Sequence, residues 1–157
     1  PVVHVTGAGG CVALAWWPAR DEESPMTATV IRLVTHVELN EVRTTPEQLD
    51  VSARLEAELS DGRALVLLGD RGWAESALGG GDIRAHLTAE SLAEDARTVV
   101  GPDEPYGDET HEQAATAHWT VLAERLASRG VRADPTGLAS LPHDVVLGAR
   151  LRAWAGL

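Results

Sequence analysis

Lysine is missing from this chain, and so is phenylalanine; all 13 basic residues are arginine. Cysteine occurs once, at Cys11, so no disulfide can close within the chain and a reduced, cytosolic setting is expected. Aromatic residues make up only 4% of the sequence. Positive charge is also scarce. Against 13 arginines stand 24 acids, and the formal net charge is -11. The arginines are scattered, so the electropositive footprint of a nucleic-acid binder is absent, and an anionic membrane surface is disfavoured for the same reason. No apolar run approaches the ~20 residues of a membrane span. The stretch from Cys11 to Trp17 is short and follows no basic segment, so a secretory leader is not expected. Arginine without lysine, alongside much Ala, Gly, Leu and Val, points to a GC-rich bacterial coding bias.

What is present suits one domain. With 157 residues and 44% hydrophobic content, a chain of this size typically buries about 70% of its unfolded surface. Residues 1–25 differ from the rest, with Gly7, Gly9, Gly10, Trp16-Trp17, Pro18 and the charged run Arg20 to Glu23. The only methionine, Met26, comes next. The expected organisation is an N-terminal extension over 1–25 and a single α+β domain over 26–157, with Met26 a candidate native start.

The strongest local signal is a β-hairpin. Val51, Ala53, Leu55, Ala57 and Leu59 alternate with Ser52, Arg54, Glu56 and Glu58, then Asp61-Gly62 turns the chain into Ala64-Leu65-Val66-Leu67-Leu68. A strand is predicted before it, over Thr29 to Leu39, with Ile31, Leu33, Thr35, Val37 and Leu39 on one face and Val30, Arg32, Val34, His36 and Glu38 on the other. Three strands then form an antiparallel meander with one apolar face that needs a cover. Residues 69–82, with Gly69, Gly72 and Gly79 to Gly81, read as loop, and a short strand is expected from Asp82 to Leu87.

Helices supply the cover. Thr88 is a good N-cap with Leu87 and Leu92 at staple positions, and Gly101-Pro102 stops that helix. Thr110 and Gln113 form a capping box for a second helix, whose Ala115, Trp119, Leu122 and Leu126 make one buried stripe, ending at Gly130. Asp134-Pro135 opens a short helix, and a last one runs over about 148–156. The fold class expected is α+β, an antiparallel sheet with C-terminal helices packed on one face.

Four groups of residues bear chemistry. The segment Thr6-Gly7-Ala8-Gly9-Gly10-Cys11-Val12-Ala13 resembles the Thr-Gly-x-x-Gly-x-x-Gly/Ala turn of short-chain dehydrogenases and nucleotide-sugar epimerases, where a helix N-terminus receives a dinucleotide pyrophosphate. The resemblance spans about a dozen residues. Pro18 cuts the following helix short, the βα alternation does not continue, and the Tyr-x-x-x-Lys pair of those enzymes is absent for want of lysine. No cofactor is therefore expected.

The second group is the acidic loop, where Asp103, Glu104, Tyr106, Asp108 and Glu109 precede His111, Glu112 and His118. His111-Glu112 lacks the second histidine of a zinc-protease helix, since Ala115 stands there. Asp108, His111 and His118 are the weak metal candidates, and the plainer reading is a solvated loop whose acids complement a helix N-terminus, with His118 a satisfied, half-buried histidine. Third, Arg71 and Trp73 in the expected loop 69–82 are candidate binding anchors, with Trp73 folded back as a lid on the sheet the equal alternative, and Asp103, Glu104 and Tyr106 join them as candidate binding residues. Fourth, His143-Asp144 sits at an expected helix junction, where Asp144 would cap or orient His143. Cys11 reads as a small apolar residue. No Gly-x-Ser-x-Gly elbow and no phosphate loop occur, so no catalytic residue is assigned.

These observations favour a small acidic binding protein of accessory, regulatory or immunity type, without catalytic activity, that recognises a basic protein partner. A homodimer through an exposed sheet edge is compatible. The alternative is a small enzyme or ligand-binding domain with His36, His111 or His118 and a carboxylate converging between sheet and helices.

Overall fold

A computed structural model describes residues 28–77 and 79–157. The expected extension, the glycine turn, Cys11 and Met26 lie outside the described residues. Among the latter, strands β1 (Val30–Leu39), β2 (Gln48–Leu59) and β3 (Ala64–Ser76) are followed by helices α1 (Ala89–Val100), α2 (His111–Ala127) and α3 (Pro135–Ala139). Strand β4 (His143–Leu147) and helix α4 (Ala149–Ala155) complete the order. The sheet order is β3-β2-β1-β4. The fold is α+β as expected: β1, β2 and β3 are an antiparallel meander, and helices cover one face.

The hairpin forms because the Asp-Gly pair suits it. Gly62 has φ 85°, a left-handed conformation that glycine adopts without a steric penalty. The Asp61 carboxylate accepts from the Arg63 backbone N–H at 3.0 Å. Val51, Ala53, Leu55, Ala57 and Leu59 are all buried, and Leu33, Thr35 and Val37 of β1 join them on the same face, whereas Ile31, expected there, is exposed because the register shifts between Val30 and Arg32. Val34 is buried too, although it faces the other way, where the Arg32–Glu58 and His36–Glu56 pairs flank it.

Helix α1 starts at Thr88, whose hydroxyl accepts from the Ser91 N–H while Ser91 bonds back to the Thr88 N–H. Helix α2 starts with the expected Thr110–Gln113 reciprocal pair. Leu92, Ala96 and Val100 of α1 and Leu122 and Leu126 of α2 are the residues that reach the sheet.

Three expectations are corrected. The residues after Leu68 are not a loop; β3 continues to Ser76, and its register against β2 shifts twice, between Ala53/Leu55 and between Leu55/Glu56. Each shift inserts one extra β3 residue, a β-bulge, so glycine there marks a bulge and not a break. Residues 83–86 are a 3-10 helix and not a strand: the Asp82 side chain caps it through the Arg84 N–H, and Ile83 and Leu87, four apart, both turn inward. His143-Asp144 opens β4 and is no helix junction. This strand pairs parallel to β1, and its ends are fixed by Leu33 N–H to the Pro142 carbonyl at 2.9 Å and Gly148 N–H to the Val37 carbonyl at 2.8 Å. No described helix is long and apolar enough to cross a membrane.

Candidate functional site

Two bulges decide which residues of β3 face the helices. Leu65, Leu68 and Arg71 stand opposite the buried residues Ala57, Leu55 and Ala53 of β2, and directly paired residues share a face. In an unbroken strand a three-residue step would flip the side chain. Here every such step crosses a bulge, so Leu68 and Arg71 both point to the side where α2 lies.

Helix α2 offers Ala114, Ala117, His118, Val121, Leu122 and Arg125 to the same space, spaced by three and four residues along one stripe. Between this stripe and the edge strand lies a cleft of about 280 Å³, lined also by Leu68, Arg71, Asp103, Glu104 and Glu109. The loop between α1 and α2 thus brings acids to the cleft.

Arg71 and Asp103 hold that loop. The guanidinium donates to both carboxylate oxygens, at 2.5 and 2.9 Å. This bidentate bond pushes the Asp103 carboxyl below its usual range and raises Arg71. Glu104 and Glu109 form no ion pair among the described residues. Arg125 donates to the Leu67 backbone carbonyl. The His118 ring meets Trp119 edge to face, centroids 5.0 Å apart. The ring is half-buried as expected, but its Nε2 makes no hydrogen bond among the described residues. Burial, and then the nearby Arg71, push the His118 pKa down, with Asp103 opposing. At neutral pH the ring is therefore uncharged.

Of the candidate binding residues, Arg71, Asp103 and Glu104 come together in this cleft. Tyr106 rides on the same loop, 92% exposed. Trp73 does not join them. It is half-buried, packs against both halves of the core, and donates from Nε1 to the Glu75 carboxylate at 2.8 Å. The three histidines do not converge either. His36 is on the sheet face away from the helices, 3.3 Å from the Glu56 carboxylate, while His111 is exposed in the first turn of α2 and His118 lines the cleft. Asp108 is exposed as well. Among the described residues no group of three or more His, Cys, Asp or Glu side chains is placed to hold a metal ion. Asp144 bonds to Arg32 at 3.1 Å and not to His143, whose Nε2 lies 2.8 Å from the buried Thr35 hydroxyl.

Sequence reasoning missed Val121, Arg125 and the two alanines. The signal was present: they share a helical stripe with His118, beside the apolar stripe that was read.

No family model matches the chain, and neither a curated protein nor a solved structure matches it.

Proposed function

We propose that this chain is a non-catalytic binding protein that recognises a basic protein through the β3–α2 cleft and the acidic loop above it. The carrying observation is that two carboxylates at the cleft, Glu104 and Glu109, have no ion-pair partner among the described residues, while Tyr106 stands exposed on the same loop. Val121, 45% exposed, adds apolar area beside them. An apolar centre with an exposed aromatic and a charged rim is how protein interfaces are commonly built. The net charge of -11 would steer a cationic partner toward it. A lone cysteine and an arginine-only basic set support a cytosolic, bacterial setting, and the small size and acidity support an accessory, regulatory or immunity-type role.

The enzyme alternative has less support, because His36, His111 and His118 face three separate places and do not converge on one carboxylate.

The test is capture of partners from the native cell extract by the immobilised chain at about 50 mM salt, with release at about 0.5 M salt, where screening shortens to a few ångströms. The captured protein is then purified and titrated by calorimetry. A basic protein with strongly salt-dependent affinity supports the reading. Recovery of no basic protein at low salt sinks it.

A further inference from the structure

We infer that the β3–α2 cleft is the seat for one long cationic side chain of the partner, an arginine in the first instance. This rests on the receptor reading above and sharpens it to a named subsite.

The walls have the two parts such a side chain needs. Leu68, Leu122, Val121 and the alanines at 114 and 117 form an apolar surface, and a volume of about 280 Å³ stays open because those two helix positions carry only a methyl group. An arginine or lysine buries its methylene stem on such a surface while its charged head seeks acceptors. Acceptors stand at the N-terminal end of α2. Asp103 is taken by Arg71, with two hydrogen bonds, but Glu104 and Glu109 are not in any ion pair among the described residues.

The cations of the cleft leave that end acidic. The Arg71 charge is compensated by Asp103. Arg125 lies three helical turns from Ala114, about 16 Å along the axis, and is directed to the Leu67 carbonyl. Burial keeps His118 uncharged at neutral pH. The cleft is therefore polarised along α2, acidic at the loop and basic at the far end. The positive end of the α2 dipole opposes a cation there by a fraction of a charge, and Glu109 and Glu112 beside it outweigh that fraction. Planar guanidinium, with several donors in a fork, suits two carboxylates better than a point-charge ammonium.

The experiment is an amide NMR titration of the full chain with Nα-acetyl-arginine amide, and with the isosteric neutral Nα-acetyl-citrulline amide beside it. The expected result is saturable shifts at Ala114, Ala117 and Val121 with the arginine compound, at an affinity on the order of millimolar for so small a ligand, and none with citrulline. Glu104→Gln with Glu109→Gln should weaken that affinity about tenfold while the rest of the spectrum overlays. Equal shifts with citrulline, shifts spread over the surface, or an unchanged affinity in the double variant would overturn the inference. The same variant separates the two readings in the capture assay. If it retains the basic partner as well as the parent chain does, the subsite is wrong and the receptor reading stands. If the parent chain captures no basic protein, both fall.

Discussion

The Arg71 guanidinium grips the Asp103 carboxylate with two hydrogen bonds, at 2.5 and 2.9 Å, and so ties the edge strand to the loop that carries Glu104, Tyr106 and Glu109. The pair is half in water: the Asp103 side chain is 72% exposed. Exposed ion pairs contribute at most about 1 kcal/mol, so Asp103→Ala, which removes the exposed end of the pair, should lower global stability by less than that. Its effect on the loop should be larger, since this pair links strand and loop directly. Hydrogen exchange at residues 103–109 should quicken severalfold while the sheet amides keep their protection. Unchanged exchange in the loop would show that the pair does not hold it.

Two glycines of β3 should respond differently to the same change. At Gly72 an added Cβ would lie 2.4 Å from the Val51 carbonyl oxygen, which is backbone of the neighbouring strand and cannot step aside. At Gly69 the nearest atom to such a Cβ is the Val66 side chain at 3.8 Å, an ordinary contact. Gly72→Ala should cost about 1–3 kcal/mol by forcing the strands apart, and Gly69→Ala should be near neutral. Urea unfolding of the two variants checks this. Equal midpoints would mean the strands accommodate the methyl group.

Helix α1 and β3 meet with two carboxyl groups facing each other. Burial, and then the neighbouring Glu75, push the Asp95 pKa up. A carboxyl whose folded pKa is raised stabilises the fold below its unfolded value and loses that stabilisation as pH rises through the folded value. Asp95→Asn should therefore raise stability at pH 7 relative to the parent chain, with the advantage shrinking as pH falls through the raised folded value and gone by about pH 4. Urea unfolding of both chains at pH 7 and at pH 4 measures the difference. A variant no more stable at pH 7 than the parent would refute the like-charge argument.

The parts of the fold legible from sequence were those where one local signal acts alone. The period-two pattern of β2, the Asp61-Gly62 turn and the Thr110–Gln113 box all stand as read. The tail of β3 was hidden because its helix-facing residues Leu65, Leu68 and Arg71 recur every three positions, a spacing that a strand shows only when bulges shift its phase. Strand β4 was hidden for another reason. Its five residues are too few to show a period, and its partner β1 lies more than 100 residues away in sequence, so the pairing is set by the packing of the helices between them. The cleft followed the same division. Its acids were visible as a charge cluster, but Val121 and Arg125 enter it only once α2 is laid against the β3 edge.

The Thr35–His143 contact should make the fold acid-sensitive just below neutrality. Thr35 is fully buried, and its hydroxyl lies 2.8 Å from His143 Nε2, joining β1 to the parallel strand β4. Burial, and then the Arg97 guanidinium, which donates to the His143 carbonyl at 3.3 Å, push the imidazole pKa down, with Asp144 opposing. His118 is pushed down as well, by its own burial. A histidine with a depressed folded pKa contributes stability that is complete above its unfolded value of about 6.5 and is lost as pH falls from there through the folded value. The unfolding midpoint in urea should accordingly drop between about pH 7.5 and pH 5. His143→Gln keeps a partner for the Thr35 hydroxyl but does not titrate, so it should reduce that drop. His118→Gln should reduce it independently, because the two rings lie on different elements, α2 and β4, and different charged neighbours act on them. NMR titration of the two imidazoles supplies the direct reading: both should show midpoints below 6.5, and a midpoint above that value for His143 would mean that the strand pairing does not resist its charge.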